Sequence, residues 1–329
     1  MTQWRIFSGE SEPSDTSFPE APPWRRFARP ANDKFNSVGD IDYSARYWER
    51  ARAYQTPKDI LDAVNAALVL RRPLLVTGPP GTGKSSLIYR VAYELKLGPV
   101  LVWPVNSRST LDNGLYDYDA IGRLRDKEAH ADTAVDIGEY IRLRALGTAL
   151  LPSERPRALL IDELDKADPD LPNDLLNALE EGWFEIPELQ RQKNREVAVR
   201  IASSAGDAET SGATAAMATI TEGRVQCYEF PFIVMTSNDE REFPAAFLRR
   251  CIRVELKAPG VEQLAQIVGA HVGPEVAERA QAYIERFASS NQPRATDQLL
   301  NAAYLVHRVS GGETEDSQRL YEMLTNPAS

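Results

Sequence analysis

Short apolar runs alternate with amphipathic stretches through the middle of the chain. Leu74-Leu75-Val76, the segment Pro99–Pro104, Ala158-Leu159-Leu160-Ile161 and Phe232-Ile233-Val234-Met235-Thr236 are of strand length and apolar at successive positions. That is the pattern of parallel strands covered on both faces. Ile60, Leu61, Val64 and Leu68 share one helical stripe, and Leu87, Ile88, Val91, Ala92 and Leu95 share another, the spacing of helices that bury one face. Thr56 is placed to cap the first of these, with Pro57 at its first position. A further helix is expected over residues 172–182. The alternation predicts an α/β fold with a parallel-sheet core and helices on both faces.

Three regions break this rhythm. Residues 107–136 are too rich in glycine and acid for a packed helix and read as an insert projecting from the core; Ile137, Tyr140, Ile141 and Leu143–Leu146 then resume helical spacing. Residues 184–230 read as a long hairpin, with Val197-Ala198-Val199-Arg200-Ile201 alternating in one arm and a flexible Ser/Ala/Thr/Gly-rich tip at Ser203–Thr219. From Gly260 onward the pattern is helical, with helices near Val261–Val272, Pro274–Ser289 and Arg294–Val309 and a shorter one near the end. The expected organisation is an irregular Pro-rich arm over 1–54, an α/β core over 55–258 and a small all-α lid over 259–329.

Composition narrows the class. The 329 residues are 43% hydrophobic and 26% charged, a globular balance. No apolar run approaches the roughly 20 residues of a membrane helix, and Met1–Glu10 lacks a basic-then-apolar signal pattern. Cys227 and Cys251 lie in unrelated contexts and suggest neither a disulfide framework nor a zinc site. A cytoplasmic protein away from membranes is expected. The net charge of −10 and pI near 5.1 argue against nucleic acid as the main partner, without excluding a local basic pore surface. Trp24-Arg25-Arg26-Phe27-Ala28-Arg29 interleaves aromatics with arginines; a docking arm for a neighbour and a strap on its own domain fit equally well.

The chemistry concentrates at Gly78-Pro79-Pro80-Gly81-Thr82-Gly83-Lys84-Ser85-Ser86, which contains G-x-x-x-x-G-K-S between an apolar strand and an amphipathic helix. A loop that wraps a polyphosphate turns its N–H groups inward, and glycine permits the turn angles. Lys84 is placed for the β- and γ-phosphates and Ser85 for a magnesium ion, with the positive end of the following helix aimed at the anion. The third strand ends in Asp162-Glu163, one acid to hold magnesium through water and one to polarise an attacking water. Asn238, just past the fourth strand, is placed to touch both the γ-phosphate and that water. Arg249 and Arg250 follow a short apolar helix, either as a C-terminal dipole pair or as fingers for a neighbour's γ-phosphate.

Taken together these residues resemble the AAA+ ATPases, and within them the MoxR-type branch of the helix-2-insert group. Gly78–Ser85 is similar to their Walker A loop, Leu160-Ile161-Asp162-Glu163-Leu164-Asp165-Lys166-Ala167 to their Walker B run, and Asn238 to sensor 1. Phe243-Pro244-Ala245-Ala246-Phe247-Leu248-Arg249-Arg250 resembles the arginine-finger segment, with Arg250 on the finger position and Arg249 second. Gln292-Pro293-Arg294-Ala295 resembles sensor 2, which implies Arg294 as a further γ-phosphate contact. The resemblance spans about residues 55–310 and implies a helix-2 insert within 107–136, a pre-sensor-1 hairpin over 184–230, ATP and Mg²⁺ as cofactors, and a hexameric ring with shared sites. Three features depart from the pattern: Arg249 where relatives more often carry an acid, a longer hairpin, and the Pro-rich start.

The implied function is ATP hydrolysis coupled to chaperone-like remodelling of a protein client, as in relatives whose partners carry a von Willebrand factor A domain. The alternatives are a nucleotide-gated assembly switch in a bacterial regulatory or defence system, and a McrB-like nucleic-acid motor. Intact Glu163 and Arg250 argue against a passive binder, and net acidity against the motor.

Overall fold

The computed structural model describes residues 4–29, 35–36, 41–129, 136–202, 216–289, 295–310 and 315–325. Eleven strands are described: β1 (Leu74–Thr77), β2 (Leu101–Pro104), β3 (Tyr116–Tyr118), β4 (Ile141–Leu143), β5 (Ala158–Asp162), β6 (Trp183–Glu185), β7 (Glu196–Arg200), β8 (Met217–Thr221), β9 (Arg224–Gln226), β10 (Phe232–Thr236) and β11 (Ile252–Glu255). Five of them form a parallel sheet in the order β11-β1-β10-β5-β2.

The period of two along a strand divides the core. Leu74, Val76, Leu160 and Val234 face one side, against Ile60, Val64 and Leu68 of the preceding helical segment and Leu87, Ile88 and Val91 of helix Lys84–Glu94. Leu75, Leu159, Ile161, Ile233 and Met235 face the other, against Leu146 and Leu150, Leu175 and Leu179 of helix Leu171–Glu181, and Phe247. Each fully buried Leu, Ile or Val contributes about 1.5–3 kcal/mol, so both helical layers are held by the apolar stripes legible in the sequence. Because β1, β10 and β5 are parallel neighbours, Thr77, Thr236 and Asp162 end at one edge of the sheet, where parallel α/β sheets bind ligands.

A second, six-stranded sheet has the order β3-β4-β7-β8-β9-β6. β7 and β8 alternate exposed and buried positions, sending Val197, Val199, Ala218 and Ile220 into the core. This is the expected hairpin, although 203–215, most of its expected tip, lies outside the described residues. The insert is more ordered than expected, since β3 and β4 pair with each other and β4 joins β7. Helix Ala120–Ala129 between them buries none of its residues. Ile141–Leu143 is therefore a strand and not a continuing helix; three residues paired to neighbours outweigh a weak helical period.

Three smaller expectations are also corrected. Ile252–Glu255 is a fifth core strand at the sheet edge, where apolar and charged residues alternate because one face is only partly covered. Thr56 does not cap a helix: its hydroxyl donates to Gly9 O (3.1 Å), and Pro57 occupies the cap position of the 3-10 turn Lys58–Ile60 that leads into helix Leu61–Leu70. Glu49–Ala53, within the segment expected to be irregular, is a short helix.

The N-terminal segment lies on the core of its own chain. Phe7 is buried, and Asn65 clasps its backbone from both sides, accepting from Phe7 N (2.9 Å) and donating to Phe7 O (2.9 Å). Buried Arg25 donates to Arg71 O, Leu179 O and Glu180 O and stacks over Phe230. Helices from Val261 to Thr325 gather around a separate apolar cluster of Leu264, Val268, Tyr283, Ile284, Leu299 and Ala302. Among the described residues no helix is long and apolar enough to cross a membrane.

Candidate active site

The glycine loop leaves β1 and closes at Lys84, the first residue of its helix. Gly81 has φ +76°, and a Cβ there would lie 2.3 Å from Ala295 Cα. Only glycine admits both the left-handed turn and the close approach. Thr296, at the start of helix Thr296–Ser310, donates its hydroxyl to Gly81 O (2.6 Å), tying the C-terminal helices to the loop. Lys84 is buried and donates to Gly78 O and Pro79 O, both at 2.7 Å. Burial pulls its ammonium below the ordinary lysine value, while Asp165, Asp162, Asp239 and Glu163 act in the opposite direction.

One carboxylate oxygen joins three elements. Asp162 Oδ1 accepts from Ser85 Oγ (2.7 Å) and from Thr236 Oγ1 (2.6 Å), so the glycine loop, β5 and β10 meet at a single atom. The same Thr236 oxygen accepts from Glu163 N (2.8 Å). Glu163 has φ +60° and ψ +48°, a left-handed conformation in a non-glycine residue, which costs about 1 kcal/mol or more and turns its side chain out of the strand line. Its carboxylate pairs with Lys166 Nζ at 2.8 Å. Buried Asp165 accepts from Asn238 N at 2.7 Å through Oδ2, while its Oδ1 has no described partner.

Pro80 through Ser86, Asp162, Glu163 and Asn238 line one cleft of about 390 Å³, together with residues of helix Val261–Val272 and helix Thr296–Ser310. Gly78 and Pro79 are not on its wall, but their carbonyls accept from Nζ of Lys84, which does line it. Arg249 and Arg250 do not line it. Arg250 pairs with Glu180 on another face, beside Trp24 and Arg72, and Arg249 accepts from Arg72 at its carbonyl (3.2 Å). Arg294 lies outside the described residues.

Sequence reasoning passed over Thr236, Asp165, Arg50 and Tyr54. Thr236 carried a readable signal, being the one polar residue that ends an otherwise apolar strand. Asp165 was inside the quoted acidic run. Arg50 and Tyr54 belong to no motif; they reach the cleft wall because Trp48 and Ala51 pack into the core.

The donors suit a polyphosphate with magnesium. The glycine loop takes positive φ at Gly78, Gly81 and Gly83, angles that let a loop turn its N–H groups inward, and Ser85 with Asp162 offers hard oxygen ligands of the kind magnesium takes alongside phosphate and water. No group of three or more His, Cys, Asp or Glu suited to a metal occurs among the described residues.

Comparison with known proteins agrees with this geometry. Residues 73–251 match the AAA domain of the dynein-related subfamily. No protein of curated function matches the chain in sequence. Similar solved structures include two single-substitution mutants of Thermotoga maritima RuvB. One is 16% identical, covering 81% of this chain and 67% of that chain at a TM-score of 0.39. The other is 17% identical, covering 81% and 68% at a TM-score of 0.38. The subfamily match takes in the glycine loop, the Asp162-Glu163 pair, Asn238 and both arginines, and the chain belongs to the dynein-related subfamily of AAA domains, a branch of the AAA+ ATPases.

Proposed function

We propose that the chain is a MoxR-type AAA+ ATPase that hydrolyses ATP at the subunit interfaces of a homo-oligomeric ring, six subunits round, and uses the cycle to remodel a protein client. A client with a von Willebrand factor A domain and a cytoplasmic setting belong to the same reading, as does the division into an arm (1–54), a core (55–258) and a lid (259–329). The observation that carries it is the separation of polar and charged groups: Lys84, Ser85, Asp162, Glu163 and Asn238 border one cleft, while Arg249 and Arg250 lie outside it. A cleft with a phosphate lysine and a candidate base, and with neither Arg249 nor Arg250 on its wall, is suited to completion by a second copy.

In this mechanism the loop N–H groups and Lys84 hold the β- and γ-phosphates, and Glu163 polarises the attacking water. Ser85 and Asp162 would hold a magnesium ion, which would supply charge neutralisation on the phosphates. Asn238 contacts the γ-phosphate and the water, with Arg294 as a further phosphate contact. Arg250 of a neighbour, or Arg249 as second choice, stabilises charge in the transition state, a contribution of roughly 10³–10⁵ in rate where such fingers operate. The Thr296–Gly81 hydrogen bond supports lid motion coupled to the loop.

The Glu163–Lys166 ion pair favours a second reading, a resting switch whose assembly matters more than turnover. The deciding measurement is ATPase rate against protein concentration, with mass determined with and without ATP. A rate per subunit that rises steeply as rings form supports the interface mechanism. Rings with almost no turnover favour the switch, and full activity from a monomer overturns the shared site.

A further inference from the structure

We propose that Arg50, carried by the N-terminal segment, is a nucleotide ligand of the cleft that grips a phosphate common to ATP and ADP. The inference rests on the nucleotide reading above and assigns a contact that lies outside every motif of the glycine loop, Asp162-Glu163, Asn238 or the distal arginines.

Four observations converge on it. Arg50 lines the cleft together with Ala53 and Tyr54, all from the segment preceding the core. Its Nε donates to Ser86 Oγ at 2.9 Å, in the first turn of the helix that opens at Lys84. Its guanidinium lies 4.6 Å from the centroid of the Tyr89 ring, one helical turn further along. Tyr54, at the C-terminal end of the same short helix, lies against Gly83 and has a buried hydroxyl without a described partner.

The helix period gives the position. Lys84 and Ser86 are separated by two residues, or about 200° around the axis, so Arg50 stands on the flank away from Lys84. Lysine in this motif serves the outer phosphates, which leaves the inner phosphates to the opposite flank. The chemistry agrees. The acceptor that Arg50 meets here is a neutral hydroxyl, so its positive charge is not neutralised by that contact. An arginine fork has five N–H donors, and with Nε–H on Ser86 and a further hydrogen bond to the Tyr89 side chain it keeps N–H groups suited to a phosphate. Stacking on Tyr89 fixes the plane of the fork beforehand and reduces the ordering cost of binding.

The test is calorimetric binding of ATP and of ADP, in magnesium, to the full chain and to Arg50→Gln, Arg50→Lys and Lys84→Ala, with nucleotide-free melting temperatures alongside. Arg50→Gln is expected to weaken ATP and ADP by the same factor, about tenfold or more, the loss of a charge-assisted hydrogen bond. Arg50→Lys is expected to keep part of the affinity, and both to melt close to the wild type. Unchanged dissociation constants in Arg50→Gln overturn the proposal, as does a loss confined to ATP. Equal losses in Arg50→Lys and Arg50→Gln with lowered melting temperatures would mark a packing role and also overturn it. Lys84→Ala separates the two levels: if it binds ATP as well as the wild type, the nucleotide site itself is misassigned, whatever Arg50 does.

Discussion

Replacing Thr236 by valine tests whether one hydroxyl holds the two acids in place. Valine keeps the branched shape, so packing in this buried position is nearly preserved, and only the Oγ1 contacts are lost. Two of them matter: donation to Asp162 Oδ1 (2.6 Å) and acceptance from Glu163 N (2.8 Å). A hydrogen bond to a charged acceptor is worth about 1.5–3 kcal/mol, and a buried N–H left without its acceptor costs about 1–3 kcal/mol. Asp162 retains Ser85 as a donor at 2.7 Å, and the added methyl returns about 0.8 kcal/mol. The expected net loss is about 2–4 kcal/mol, or roughly 3–6 °C in melting temperature for a chain of this size. ATPase turnover should fall by more than about tenfold, because the left-handed Glu163 loses its backbone anchor and its carboxylate moves from the position a general base requires. Thr236→Ser restores both contacts and should recover most of both quantities. A valine variant that melts within about 1 °C of the wild type and hydrolyses ATP at the wild-type rate would refute the reasoning, since the anchor would then be dispensable.

Two further substitutions probe the N-terminal segment and the distal arginine. Glu94 is buried and accepts from Ser8 N (2.6 Å), Ser8 Oγ (2.8 Å), Gly9 N (3.0 Å) and Arg90 (3.4 Å). Glu94→Ala leaves the buried Arg90 charge without its carboxylate, with Gly9 O and Ser11 O as its remaining acceptors, and is expected to cost about 3 kcal/mol and to open the segment to trypsin at Arg5; unchanged protection would show that Phe7 and Asn65 hold it alone. Arg250→Ala should abolish the cooperative rise of ATPase rate with concentration while leaving the melting temperature nearly unchanged, because both partners of the Glu180 pair are partly solvated. The Arg250 hydrogen bond holds the Glu180 carboxyl below its ordinary value of 4.5. A depressed carboxylate stabilises the fold above the unfolded value and loses that contribution as pH falls through the folded one. The small stability difference between wild type and Arg250→Ala should therefore be present at neutral pH and vanish on acidification below 4.5; a difference that grows in acid would contradict the pairing.

What was legible in the sequence was what depends on local period and local turn chemistry. Strands buried on both faces read as apolar runs, and helix Lys84–Glu94 read as a stripe, because the core imposes the period. The glycine loop was legible because Gly78 and Gly83, the fixed glycines of the pattern, hold φ of +134° and +83°, which other residues rarely adopt. Long-range pairing left no comparable trace. Ile252–Glu255 is a core strand only because β1 lies beside it, and Ile141–Leu143 is a strand only because Tyr116–Tyr118 and Arg200 supply partners from distant parts of the chain. The same limit applies to the cleft. Its phosphate-loop residues come from one continuous motif, but Arg50 is brought to Ser86 by the burial of Trp48 and Ala51, two residues that carry no chemistry. A proline-rich segment reads as disorder when its composition is averaged, yet Arg25 satisfies three backbone carbonyls and Glu94 gathers two successive N–H groups from it. Those contacts replace the regular backbone pairing that prolines preclude, so the segment is ordered by side-chain contacts with the core and not by its own period. Residues that reach the cleft in this way are invisible to motif reading for a physical reason: their positions are set by packing elsewhere, and substitution at that packing should move them as surely as substitution at the cleft.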